Sequence, residues 1–195
     1  MEIGAGRVLE IAVLGLLNES PMHGYELRKR LAGLLGTLRA FSYGSLYPTL
    51  RRLSEAGWIS EEEPLDLPSG PPRSRRGKRV YRLTAEGKEH LADLLSDVGP
   101  EAFDDENFGA RLAFFAQTRS DVRLQVLEGR RRRVEEKRDG MRSALARTGE
   151  RLDRYTAELH RHGLESVDRE VRWLTELIES ERTNAPHKTN TKEEP

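Results

Sequence analysis

Between Ser42 and Ile59 the chain reads SYGSLYPTLRRLSEAGWI, a stretch whose two faces differ sharply. Leu46, Leu50, Leu53 and Gly57 fall on one side at the helical period, a stripe that packs inward. Gly44, Ser45, Pro48, Arg51 and Arg52 fall on the other, with Tyr47 and Thr49 on the flanks. Pro48 suits a helix that begins near Gly44, because a proline in the first turn removes only a donor that has no helical partner. Gly57 stops the helix and Trp58-Ile59 opens a strand. A small, polar and cationic face fits a DNA major groove, where small side chains permit close approach and Arg reaches phosphate oxygens or the acceptor edge of guanine. Taken alone, the leucine stripe fits any amphipathic helix, so the flanking segments decide.

Upstream, Leu9–Leu17 is an apolar run that reads as a buried first helix and ends in the turn Asn18-Glu19-Ser20-Pro21. Pro21-Met22-His23-Gly24 leads into a helix over Tyr25–Leu35, with Leu27, Leu31, Leu34 and Leu35 at helical spacing. This is a positioning helix whose amino end aims backbone donors at a phosphate. His23 has two readings, a structural turn residue, which the pattern favours, and a phosphate contact. Downstream, Ile59-Ser60 and Arg79–Leu83 alternate as half-buried strands do, with Val80 and Arg82 opposite in sense to Tyr81 and Leu83. The segment between them holds Pro64, Pro68, Gly70, Pro71 and Pro72 and is a loop. Its first half is acidic, with Glu61, Glu62, Glu63 and Asp66, and its second half carries Arg73, Arg75, Arg76, Lys78 and Arg79. Phosphate repels the acidic stem unless it turns away, so the cationic half is expected on the backbone or in the minor groove. The alternative is a solvated loop, favoured for sequence readout but not for phosphate affinity. Helix, glycine stop, strand and basic hairpin together make a winged helix-turn-helix. Its candidate DNA contacts are His23, Tyr43, Gly44, Ser45, Tyr47, Pro48, Thr49, Arg51, Arg52 and the five wing cations.

The chain has 195 residues, 33 basic and 33 acidic, so net charge gives nucleic-acid binding no support and the cations must be concentrated locally. It has no cysteine, which excludes thiolate metal sites, disulfides and a cysteine nucleophile. No segment approaches the ~20 apolar residues of a membrane span, and the first residues lack signal-peptide character. The expected compartment is cytoplasmic.

Thr84 is a candidate cap for a helix marked by Leu91, Leu94, Leu95 and Val98, which Gly99-Pro100 interrupts. The aromatic segment Phe103–Phe115 reads as core packing at a hinge between two parts, with an effector pocket as the alternative. From Ser120 onward Leu127, Val134, Met141, Leu145, Leu152, Tyr155 and Leu159 form a heptad-like seam on one long helix that ends at His160-Arg161-His162-Gly163. A last helix carries Val167, Val171, Leu174 and Ile178. Arg130–Arg133 reads as a solvated face, and the two histidines, being two residues apart, point to different faces and make no metal site. The two seams predict an antiparallel helical hairpin with an apolar edge left over for a second copy. The dimerisation residues are then Leu127, Val134, Met141, Leu145, Leu152, Val167, Val171, Leu174 and Ile178. The expected fold is mainly α with a small β-wing: a winged helix-turn-helix domain at 1–99, a coiled-coil-like hairpin dimerisation domain at 100–183 and a disordered tail at 184–195.

The pieces LEIAVLGLL, SPMHGYELRKRL, FSYGSLYPTLRRLSEAGWI and KRVYRLTAEGK, in this order and spacing, resemble the PadR family of transcriptional regulators over about Leu9–Leu95. The carboxy-terminal half is similar in length and pattern to the larger subfamily with a virulence-activator-like dimerisation region. The resemblance implies a homodimer bound to double-stranded operator DNA near its own or neighbouring genes, usually as a repressor and often released by a small aromatic effector. It places the recognition helix at Gly44–Ala56 and the wing tip at about Leu65–Lys78. From the residues themselves, no cofactor, no metal and no membrane is expected. A protein-interaction module without DNA remains the alternative, since fold alone does not set function. An enzyme is the weakest reading, because phosphate loops, nucleophile elbows and metal-ligand spacings are all missing.

Overall fold

The computed structural model describes residues 3–35, 43–62, 79–148 and 152–184. Four of the expected wing contacts, Arg73, Arg75, Arg76 and Lys78, lie outside the described residues, as does the wing tip and the expected tail at 185–195. The described part is mainly helical with one small antiparallel sheet, as expected. Two units divide between Thr118 and Arg119.

In the first unit α1 (Ile3–Glu19) is the centre of the core. Leu9, Ile11, Ala12, Val13, Leu14, Leu16 and Leu17 are all buried, so the helix is apolar nearly all round, as a helix enclosed on several sides must be. After it, Met22–His23 forms a short edge strand, β1, where the sequence suggests only a turn. It pairs with β3 (Val80–Leu83), Met22 opposite Tyr81, and β3 in turn pairs with β2 (Ile59–Glu62) to give the order β1-β3-β2. A two-residue strand leaves too short a period to be read from sequence; its partner lies far along the chain. Then α2 (Gly24–Leu35) buries Leu27 and Leu31, with Leu34 partly buried against the same core.

A single 3-10 turn, Tyr43–Ser45, precedes α3 (Leu46–Glu55). The recognition helix proper thus starts two residues later than Gly44. Leu46, Leu50 and Leu53 are buried as the period requires. Gly57, placed on that stripe from sequence, is instead exposed at φ 76°, and its role is to end the helix. The Gly57 N–H donates to the Ser54 carbonyl and the Trp58 N–H to the Leu53 carbonyl, each at 3.0 Å, the paired bonds of a Schellman stop.

Beyond β3, α4 (Ala85–Ser96) is capped by Thr84, whose Oγ1 accepts from the Gly87 N–H at 3.0 Å and donates to the Gly57 carbonyl at 2.7 Å. One side chain therefore joins the start of α4 to the end of α3. Val98, expected on this helix, lies past its end and is exposed. The aromatic segment forms two 3-10 turns, Pro100–Phe103 and Phe115–Gln117, around α5 (Phe108–Ala113). Phe114 is fully buried in the first core, its ring against Gly15 of α1. The division into units accordingly falls after Thr118, beyond the 99/100 boundary suggested by Gly99-Pro100, and the segment belongs to the first unit rather than acting as a hinge.

The second unit is a hairpin of α6 (Ser120–Thr148) and α7 (Arg154–Asn184). Its turn lies before Arg154, so the single long helix expected to run to Gly163 is corrected: α7 passes through Gly163 without a break. Asp153 is the start signal, its Oδ1 accepting from the Tyr155 and Thr156 N–H groups at 2.9 and 3.1 Å. Gly163 serves a different purpose, because a Cβ there would approach Met141 Cε of α6 to 2.9 Å. The antiparallel sense is plain from the ion pairs between the helices. Arg123 meets Glu181, Arg130 meets Glu170 and Arg142 meets Asp168, partners falling along α7 as they rise along α6. Asn184, assigned to the tail from sequence, closes α7.

Part of the heptad seam is consumed inside the protomer, while its last members, Tyr155 and Leu159, stay exposed. Leu127, Val134, Val167, Val171, Leu174 and Ile178 are buried without any second chain, and Met141, Leu145 and Leu152 are half-buried. The assignment of the six buried residues as dimer contacts is corrected, because a side chain already excluded from water by its own chain has no area left for a partner; Met141, Leu145 and Leu152 keep exposed area. Arg130 is likewise no solvated residue: it is 8% exposed and held by Glu170 at 2.6 Å, while Arg132 and Arg133 do face solvent.

Candidate nucleic-acid interface

Burying Leu46, Leu50 and Leu53 turns the opposite side of α3 outward. Gly44, Ser45, Tyr47, Pro48, Arg51 and Arg52 are all exposed there, Tyr47 at 51%. Thr49 is the exception. It is 8% exposed, at the edge of the inward arc beside Leu53, so its candidacy as a DNA contact is withdrawn. Tyr43 lies in the preceding 3-10 turn. His23 is exposed on β1 opposite Val80, and Tyr25 is exposed in the first turn of α2.

The wing stem settles into cross-strand pairs. Arg79 bonds the Glu61 carboxylate and Arg82 bonds Glu62 at 3.1 Å, so these two carboxylates are paired by the return strand. That lowers the repulsion expected between the described part of the stem and phosphate. Tyr81 and Leu83 point into the core while Arg82 points out, the alternation expected from sequence. Burial, reinforced by the Glu61 charge, pushes the Tyr81 phenol above its ordinary value, which keeps it neutral.

Behind this face lies a polar cluster that sequence reading missed. Glu10 of α1, 8% exposed, accepts from Arg52 NH2 of α3 through Oε2 at 2.7 Å, and its Oε1 lies 2.7 Å from His90 Nε2 of α4. The His90 ring stacks on Trp58 with centroids 3.5 Å apart and planes 13° from parallel. The available signal was a lone carboxylate in the apolar run LEIAVLGLL, since a buried charge requires partners. A second missed cation, Arg111 of α5, is buried and donates to the Leu94 and Leu95 carbonyls at 2.8 and 3.3 Å. It satisfies carbonyls at the end of α4 that the helix itself leaves unbonded. Its burial lowers its affinity for a proton, which Asp97 opposes.

Chemically, the outer face offers hydrogen-bond donors, an aromatic ring and cations over small residues. Among the described residues no group of three His, Cys, Asp or Glu is placed to hold a metal ion, and no helix is long and apolar enough to cross a membrane.

Residues 13–93 match the model of the transcriptional regulator PadR-like family. The negative transcriptional regulator PadR of Bacillus subtilis is 30% identical over 89 residues, which span 46% of this chain and 46% of that regulator. Among solved structures, a Streptococcus mutans protein is 29% identical, with 87% of this chain and 98% of the other covered at a TM-score of 0.40. Bacillus subtilis PadR in complex with operator DNA is 21% identical, covering 89% and 99% at 0.42. The same protein in complex with p-coumaric acid is 21% identical, covering 90% and 99% at 0.41. Over residues 13–93, then, the chain is similar to the transcriptional regulator PadR-like family.

Proposed function

We propose that this regulator is a homodimeric repressor that binds operator DNA at its own or a neighbouring gene. The observation that carries the reading is the outward face of α3, on which Gly44, Ser45, Tyr47, Pro48 and Arg51 are all exposed. A major groove about 12 Å wide admits such a helix, with Arg51 in reach of phosphate or guanine. Arg73, Arg75, Arg76, Lys78 and Arg79 of the wing then contact the backbone, and His23 and Tyr43 flank the helix. The first unit is the DNA reader and the second joins the copies. The sign of regulation is supported by the curated relative's description as a negative regulator. The cytoplasm is the compartment such a role requires.

For the dimer, the residues that support the reading are not the buried part of the seam but exposed residues of α7, two of them the seam's last members. Tyr155, Leu159 and Trp173 are exposed at 83%, 70% and 40%. Tyr155 and Trp173 are about five helical turns apart and Leu159 one turn on, so all three share one stripe, turned away from Val167 and Leu174. A two-fold pair of readers would meet half-sites about 34 Å apart or a multiple of that.

Retardation of the fragment upstream of its own gene, with none of an unrelated fragment, is the expected result. Arg51→Ala should weaken it. Retardation of neither fragment would leave the interaction-module reading standing, and equal retardation of both would defeat the sequence-specific one. The effector expected from the family resemblance is tested in the same gel, with p-coumaric acid as the first compound to titrate; unchanged retardation removes that compound.

A further inference from the structure

We infer that Glu10 withholds Arg52 from DNA, using it as a strut that fixes the pose of α3 and keeps sequence-independent phosphate affinity low. The inference rests on the DNA-binding reading above. In sequence Arg52 is indistinguishable from Arg51: both are arginines on the outward side of one helix. In the fold they part company. Arg52 gives NH2 to Glu10 at 2.7 Å, whereas Arg51 points to solvent.

Two features make this more than a surface ion pair. The carboxylate is mostly buried, its side chain 11% exposed against 50% for Arg52, so a guanidinium that left for a phosphate would strip a partner from a charge that water reaches poorly. The second feature is where the carboxylate's other oxygen goes. Oε1 meets His90, whose ring lies flat on Trp58, the residue whose N–H completes the α3 stop. The Trp58 carbonyl accepts from the Thr84 N–H at 3.1 Å and abuts Gly87 of α4 so closely that no Cβ fits. The last turn of α3 is therefore tied twice to α1 and α4, once through Arg52 and once through Trp58. A single buried carboxylate joins the two ties. Releasing Arg52 would add a phosphate contact, blind to sequence, and free the helix to tilt. Glu10 is a positioning residue that favours the specific complex over the non-specific one.

The test uses the full chain, the fragment upstream of its own gene and an unrelated fragment of equal length, with affinity measured across a salt series. Glu10→Gln removes the charge that holds Arg52. We expect it to bind the unrelated fragment several-fold tighter, with the log–log salt slope steeper by about one, and to show a reduced ratio of specific to non-specific affinity. Arg52→Gln should leave the wild-type slope unchanged, and the double variant should return to it. A general loss of folded protein changes the active fraction rather than the slope, so a structural defect does not mimic this pattern. An Arg52→Gln slope shallower by about one means Arg52 already holds a phosphate and overturns the inference, as does an unaltered slope in Glu10→Gln. If Glu10→Gln shows no cooperative unfolding transition, Arg52→Gln decides alone by the same criterion. A wild-type protein that retards neither fragment overturns the DNA reading, and the inference falls with it; slopes that depart from those expected, with specific binding intact, reject only the role of Glu10.

Discussion

Gly87 and Gly140 are both helical glycines, and the structure sets opposite consequences for adding a methyl group. A Cβ at Gly87 would overlap the Trp58 carbonyl, which is backbone and already bonded to Thr84. At Gly140 nothing lies within 4 Å. Gly87→Ala should destabilise by about 1–3 kcal/mol, the usual range for overpacking. Gly140→Ala should stabilise by about 0.5–1 kcal/mol, because alanine loses less backbone freedom on folding. Urea unfolding of the two variants checks both signs. Asp97 supplies a pH dependence. The Gly99 N–H, bonded to its Oδ1 at 2.9 Å, holds its carboxyl below the ordinary value against the opposing effect of burial, with Arg7 as a further contributor. A carboxyl with a lowered folded-state value contributes stability that is complete above its unfolded value, about 3.9, and is lost as pH falls below that. Asp97→Asn should flatten the acid limb of the stability curve between about pH 5 and 2. An acid limb identical to wild type would reject the assignment.

At the level of elements, the α6–α7 hairpin is closed as much by ion pairs as by its apolar stripe. Arg130 is the most enclosed of the paired cations that bridge the two helices, its side chain 9% exposed against 31% for Glu170. Truncating one partner of a fully buried pair costs about 3–5 kcal/mol; the part-exposed Glu170 lowers the expectation for Arg130→Ala to about 2 kcal/mol. Replacing both residues with apolar ones, Arg130→Met with Glu170→Leu, should recover most of that loss. A double-mutant cycle in urea checks it, and an additive result would show the pair to be uncoupled. The winged part has the same logic in its stem, where Arg79 and Arg82 neutralise Glu61 and Glu62 strand to strand.

For the molecule as a whole, the proposed dimer separates cleanly from the hairpin. Charges introduced at the exposed stripe, as in Tyr155→Asp with Leu159→Asp, should yield a monomer with unchanged helix content, whereas Val171→Asp should unfold the hairpin itself. Sedimentation at several concentrations, with circular dichroism alongside, distinguishes the two. A wild-type protein that sediments as a monomer at micromolar concentration would defeat the dimer proposal, and operator binding by the monomeric variant at wild-type affinity would defeat the two-half-site geometry.

Local chemistry is legible in this sequence because it acts within about a turn of the chain. The stripe Leu46-Leu50-Leu53, the glycine stop at Gly57, the Thr84 cap and the alternation of Tyr81 with Arg82 follow from period and dihedral preference, and the family motifs lie on those same pieces. Tertiary structure decided what depends on partners distant in sequence. Met22 becomes a strand only because Tyr81 lies beside it, and Arg52 meets Glu10 across 42 positions. The leucine and valine seam of the second unit is satisfied by the chain's own returning helix. A helical period reports that a face is apolar, never which surface covers it, since the driving force for burial is non-directional and indifferent to whether the cover is the same chain or another.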